Sequence, residues 1–299
     1  MSTHVWDKQA HLAMVLRKFQ GGAGRTKEWS VSAFERDVKD PIKRMTSTAP
    51  PSLRQIVVVS CGDPTSPLSE AVADDGTTPM MRAVKEAFPE EVERDFIKVV
   101  LDTSWGKNAG SASALNAGWR ATDDGVNNTV LSWNPDFHLP GHILACGMEH
   151  MHRYNLALCG FYRKRWFERF QWGTFQNTAT LYDMELLREH GGFSTRCDGN
   201  EGETISIGDT KVRLMGMDDF YFYLTILKNT GKILPWGMYG VMTPSNWETD
   251  FPDDDRKQAD FNEKVSRQLV VMRAWANEIF PDVPFGHLMD QMFAEMRQG

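Results

Sequence analysis

Apolar residues fall along this chain in short blocks separated by glycines, prolines and acidic clusters, and their spacing changes from block to block. From His4 to Phe19 the apolar positions Val5, Leu12, Val15, Leu16 and Phe19 recur at helical intervals and stop at Gly21, Gly22 and Gly24, which predicts an N-terminal helix. A second short helix is predicted over Val31 to Met45, and Thr46 to Ser52, with Pro50 and Pro51, reads as a linker. Gln55 to Ser60 is a β-branched apolar run ending at Cys61-Gly62-Asp63-Pro64, the pattern of a strand buried on both faces. A helix over Met80 to Phe88 and a strand over Phe96 to Asp102 follow. Next come a small-residue loop and helix (Gly106 to Ala121), a strand (Thr129 to Trp133) and a helix start at Pro140-Gly141. Strands alternating with helices predict a parallel βαβ arrangement, whose ligands sit at the carboxyl ends of the strands. The acidic stretch around Asp250, Asp253, Asp254 and Asp255 precedes a predicted helix from about Lys257 to Phe280, and a last Met- and Phe-rich helix is predicted over Phe285 to Met296. The expected organisation is a helical extension at 1–52, an α/β domain at 53–248 and a C-terminal helical segment at 249–299.

Composition narrows the class. The 299 residues can bury a large core, 41% are hydrophobic, and no apolar run approaches the ~18 residues of a membrane span. Asp7, Lys8, Arg17 and Lys18 interrupt the N-terminal apolar positions, so a secretory signal is not expected and a soluble, cytoplasmic protein is. The net charge of -7 argues against nucleic acid or an anionic membrane as the main partner, despite a local basic cluster at Arg163, Lys164, Arg165 and Arg169. Cys61, Cys146, Cys159 and Cys197 lack metal or disulfide spacing and read as reduced thiols.

Three segments carry candidate chemistry. Asn108 to Gly118 (NAGSASALNAG) puts small residues at a helix N-terminus, where free N–H groups favour phosphate; tight packing on the sheet explains them equally well. Asn134-Pro135-Asp136 follows a strand directly, so Asp136 is placed to hold a hard cation beside a diphosphate, unless the tripeptide is simply a turn. Asp218-Asp219 precedes an aromatic helix; one of the two could be a general base, or either could cap the helix. Trp166, Phe167, Phe170, Trp172, Phe175, Trp236, Tyr239 and Trp247 suit stacking on a saccharide, although core packing uses the same residues.

In their joint order these segments resemble the inverting GT-A fold glycosyltransferases. Asn108 to Gly118 is similar to the family's N-x-G-x-x-x-A-x-N-x-G segment, and Val130 to Pro140 to its strand, D-x-D and Pro. Asn177 to Phe193, ending Gly191-Gly192-Phe193, looks like the acceptor-side stretch, and Asp218-Asp219 stands where the family has Glu-Asp. The resemblance spans about Gln55 to Leu227. It implies a GT-A type nucleotide-binding mixed sheet flanked by helices. It also implies a glycosyltransferase taking a sugar from a nucleotide diphosphate donor to a hydroxyl of a saccharide, lipid or protein. Asp219 or Asp218 would be the base, and Asp136 would hold Mn²⁺ or Mg²⁺. Cys61, Asp102, Asn108, Gly110, Asn116 and Asn134 would bind the nucleotide sugar, with Asp74 and Asp75 as alternatives to Asp102 at the nucleoside. Asn134 replaces the first Asp of D-x-D and brings no charge to a metal. The alternatives are a GT-A-like binding module without activity and a nucleotidyltransferase.

Overall fold

The computed structural model describes residues 11–19, 31–61, 76–102, 111–122, 125–134, 139–163, 179–198, 203–207, 209, 210–214, 217–231 and 236–241, with single residues and short runs from 263 to 287 and the pair 297–298. Its centre is one eight-stranded sheet. The strands are β1 (Leu12–Phe19), β2 (Leu53–Cys61), β3 (Ile97–Asp102), β4 (Thr129–Trp133), β5 (Leu158–Arg163), β6 (Ala179–Asp183), β9 (Trp236–Val241) and β10 (Arg297–Gln298). In space they run β10-β9-β5-β6-β4-β1-β2-β3. All pairings are parallel except those of β6 with β4 and β5. This is the mixed α/β sheet expected from the resemblance. A separate antiparallel hairpin joins β7 (Thr204–Ile207) to β8 (Thr210–Arg213).

The N-terminal helix expected over His4 to Phe19 is corrected: Leu12–Phe19 is a strand, paired with β2 on one side and β4 on the other. The sheet therefore begins well before residue 53, and the run at Gln55 to Ser60 belongs to its second strand. The physical reason lies in its central position. A strand covered on both faces needs apolar residues at every position, so Leu12-Ala13-Met14-Val15-Leu16 shows no period of two, and the same letters satisfy helical spacing. Alternate side chains then divide. Ala13 and Val15 join one core with Val57, Val59 and Val130, while Leu12, Met14 and Leu16 join the opposite core with Ile56, Val58 and Leu131.

Helices cover both faces. The second core takes in the helical stretch formed by α1 (Val31–Phe34), a π-turn at Glu35–Lys39 and α2 (Asp40–Thr48), together with α3 (Pro79–Ala87) and α6 (Gly141–Arg153). A short α4 (Pro89–Glu93) leads into β3. On the first face lie α5 (Ser111–Ala121), α7 (Met184–His190) and α8 (Asp218–Thr230). Described residues between Glu263 and Asn277 are helical, and Val271 and Ala276 pack into this same core. Phe285, Gly286 and His287 are helical as well, and Arg297–Gln298 adds a strand to β9. No helix among the described residues is long and apolar enough to cross a membrane.

Two glycines mark close approaches of helices. A Cβ on Gly118 of α5 would lie 2.2 Å from Val15 Cγ1, so α5 sits tightly on β1 and β2. A Cβ on Gly141, at the start of α6, would lie 1.6 Å from the Thr48 carbonyl oxygen, where only backbone could yield. Gly141 N also donates to Thr48 Oγ1 at 3.1 Å, fixing α6 against the end of α2. Gly141→Ala is therefore expected to cost about 3 kcal/mol, read as a lowered thermal midpoint; a midpoint equal to that of the unaltered chain would contradict this packing.

Candidate functional site

Because seven of the strands point the same way, their carboxyl ends collect on one edge, and three of the expected ligands are brought there. Cys61 and Asp102 close β2 and β3 as register partners, and Asn134 follows β4, whose Trp133 pairs with Ala179 at the start of β6. Asp102 is buried and Asn134 half-buried. Asn108 and Gly110, which precede α5 in the sequence, lie outside the described residues, as do Asp136, Asp74, Asp75 and the aromatic residues at 166–175 and 247. The side chains of Cys61, Trp236 and Tyr239 are likewise outside them.

α5 begins at this edge, and its small residues suit either a ligand phosphate at the helix start or tight packing within the protein. At two amides of its first turn the partner is the chain itself: Asp198 Oδ1 accepts from Ala112 N at 2.8 Å and Asp198 Oδ2 from Ser113 N at 2.9 Å. A buried carboxylate at a helix N-terminus satisfies two orphan donors and opposes the positive end of the dipole, so a phosphate has no claim on those two groups. Asp198 is 6% exposed. Burial pushes its carboxyl up to about 6, against the lowering effect of the two amides, and the nearby Asp218 charge adds to the rise.

Asn116, expected to bind nucleotide sugar, is buried one turn along α5 and is committed to the protein. Its Nδ2 donates to the Phe193 carbonyl at 2.7 Å, and its Oδ1 accepts from Phe193 N at 2.8 Å and Trp119 Nε1 at 3.0 Å. Two of the motifs are thus joined by one amide that copies a backbone pairing. The corner it holds needs glycine twice: Gly191 and Gly192 have φ of 76° and 83°. A Cβ on Gly192 would lie 2.4 Å from Asn116 Oδ1. Phe193 then packs edge-on to Tyr182 of β6, with ring centres 5.1 Å apart, and against Phe222 of α8, also at 5.1 Å.

Through that aromatic contact the corner positions α8, whose first turn carries Asp218 and Asp219, each 2% exposed. Carboxylates in a first turn are favoured by the helix dipole, which helps both to be held inside. Their charges reach Cys197, whose thiol is pushed far up by burial first and then by Asp218, Asp198 and Asp219. Cys159 is pushed up to about 12 by burial. Neither is a thiolate nucleophile. Asp218 and Asp219 therefore stand within electrostatic reach of the Cys197–Asp198 stretch that meets the start of α5.

Sequence reasoning missed Asp198 altogether. Its partners lie 86 and 85 residues earlier in the chain, and no local pattern marks it. Among the described residues no three His, Cys, Asp or Glu side chains gather to hold a cation. Asp198 has both oxygens on amides and Asn134 is neutral, so these residues do not fit a divalent metal by themselves.

The raised carboxyl of Asp198 has a consequence for stability. The folded chain holds that proton more tightly than the unfolded one, so the contribution is complete below the ordinary value of 3.8 and is lost as pH rises through about 6. Urea unfolding at steps between these values should show the stability of the unaltered chain falling relative to Asp198→Asn; a difference independent of pH would contradict the burial of an ionising group here.

No family model matches the sequence, and no curated protein matches it. Among solved structures, the chain is similar to the S. aureus TarS fragment 1-349 in complex with UDP, with 12% identity and a TM-score of 0.49 over 94% of this chain and 69% of that one. A second structure of the fragment gives 11% identity and a TM-score of 0.43 over 72% of this chain and 55% of that one. A Desulfovibrio desulfuricans G20 protein assigned as a nucleotide-diphospho-sugar transferase gives 10% identity and a TM-score of 0.39, over 96% of this chain and 100% of that one. The chain spans between about half and two thirds of the TarS fragment, depending on the structure compared.

Proposed function

We propose that the chain is a nucleotide-sugar transferase, moving a sugar from a nucleotide diphosphate donor to a hydroxyl acceptor by single displacement with inversion. One observation carries the reading: the carboxyl edge of the sheet collects Cys61, Asp102 and Asn134, and the buried pair Asp218 and Asp219 stands near the start of α5, the helix that follows β3 from that same edge. Open α/β sheets bind ligands at such an edge. Asp102 would accept a hydrogen bond from the nucleoside, and Asn134 from the ribose. The diphosphate would be received by the segment holding Asn108 and Gly110, since the amides of Ala112 and Ser113 are occupied by Asp198. Asp136 would be the residue to hold Mn²⁺ or Mg²⁺, and such an ion, when bound, would supply positive charge beside the diphosphate. Asp219, with Asp218 beside it, would take the proton of the acceptor hydroxyl as it attacks the anomeric carbon. UDP-GlcNAc, bound by the TarS fragment in one solved structure, is a rational first donor to try.

The test is product analysis with UDP-GlcNAc, UDP-glucose and GDP-mannose, with Mn²⁺ and simple saccharide acceptors. Release of a nucleoside diphosphate coupled to acceptor modification is expected. Pyrophosphate formation from a nucleoside triphosphate and a sugar phosphate would mark a nucleotidyltransferase. Donor binding without turnover would mark a binding module.

A further inference from the structure

Between Phe193 and Asp198 the chain forms a strap fastened to α5 at both ends. Phe193 is held through its N–H and C=O by Asn116, and Asp198 is held by the amides of Ala112 and Ser113. The short 3-10 turn Thr195–Cys197 spans the interval, with Ser194 Oγ accepting from Arg196 N at 3.4 Å. From the middle of the strap Arg196 reaches outward: it pairs with Glu203 ahead of β7, and its Nη1 donates to the Tyr221 hydroxyl at 3.0 Å. Tyr221 lies two residues beyond Asp219 on α8. Phe193 supplies the other contact to α8 through Phe222. The first turn of α8 is therefore referenced to the start of α5 by two contacts that pass through this six-residue strap.

We propose that Asp198 is a positioning residue for the base: by gripping the first amides of α5 it fixes, through the strap, where Asp219 stands relative to the donor edge of the sheet. The role rests on the transferase reading for its catalytic meaning, but its mechanical part stands on the hydrogen bonds alone. A carboxylate suits the task because two parallel charge-assisted bonds to adjacent amides define an orientation as well as a distance, which a neutral side chain with one acceptor does not.

Two variants and two readouts test this. Asp198→Asn keeps the shape and one acceptor; Tyr221→Phe removes only the hydroxyl at the far end of the strap. Hydrogen exchange of the full chain without ligand should quicken in Asp198→Asn at both ends of the path, at 112–113 and at 218–222, and in Tyr221→Phe at 218–222. With UDP-GlcNAc as probe and UDP release as readout, kcat should fall by about 10- to 100-fold in Asp198→Asn, as misplacements of about 1 Å away from the chemistry do. KM for the donor should change little, and the double variant should lose no more than the worse single one. Faster exchange confined to 112–113, or an unchanged kcat in an Asp198→Asn protein that melts like the parent, would overturn the proposal. If the unaltered chain releases no UDP, the choice of donor or the transferase reading is what fails, and exchange at 218–222 still decides the strap.

Discussion

Asp219→Asn lowers turnover by about 10²- to 10⁴-fold while leaving donor affinity nearly unchanged, if Asp219 is the base that the proposed displacement needs. The substitution preserves the shape of a side chain that is 2% exposed and removes its charge together with its capacity to take a proton. The acceptor hydroxyl is then left without help as it approaches the anomeric carbon, so the loss appears in kcat and not in the dissociation constant of the donor. Initial rates of nucleoside diphosphate release, with calorimetry of donor binding, separate the two quantities. Asp218→Asn serves as the companion variant, because the two carboxylates share the first turn of α8. A full rate in Asp219→Asn with a collapsed rate in Asp218→Asn would transfer the role to Asp218; full rates in both would remove this pair from the chemistry.

The second large effect is expected at Gly192. With φ at 83° and a new Cβ only 2.4 Å from Asn116 Oδ1 and 2.6 Å from Trp119 Nε1, Gly192→Ala strains the backbone and drives into the amide that holds Phe193. Left-handed strain costs about 1–3 kcal/mol and overpacking a similar amount, so a loss of about 3 kcal/mol or more is expected. Asn116→Ala should destabilise comparably by a different route, leaving the Phe193 N–H and C=O and the Trp119 Nε1 without their partner at about 1–3 kcal/mol for each buried group. Urea denaturation measures both. Variants within about 0.5 kcal/mol of the parent would show that the corner yields easily, as ordinary surface positions do.

Much of the central sheet was legible from pattern. The strand at Thr129–Trp133 coincides with its apolar run, β2 and β3 lie within a residue or two of theirs, and the helices at Pro79–Ala87 and Ser111–Ala121 follow from strand-helix alternation. β1 was not, because continuous burial erases the period of two that distinguishes a strand from a helix. The reversed strand β6 was hidden within a stretch recognised only by its Gly-Gly-Phe ending, since direction in a sheet is decided by partners far away in sequence. The same holds at the site. Asp102, Asn134, Asp218 and Asp219 stand out locally, as strand ends or as an acidic pair before a helix. Asp198 and the Phe193 contacts of Asn116 are defined by groups about 80 residues distant, and small residues at the start of α5 look alike whether a phosphate or the chain's own carboxylate approaches them.

The most direct test of the central claim is a crystal structure of the chain with UDP-GlcNAc and Mn²⁺. The nucleoside should lie across the ends of β2, β3 and β4, within hydrogen-bonding distance of Asp102 and Asn134, with the sugar turned toward Asp219 and Asp198 still on the amides of Ala112 and Ser113. A nucleotide bound at the opposite edge of the sheet, or on a helix face remote from Asp102 and Asp219, would contradict the account.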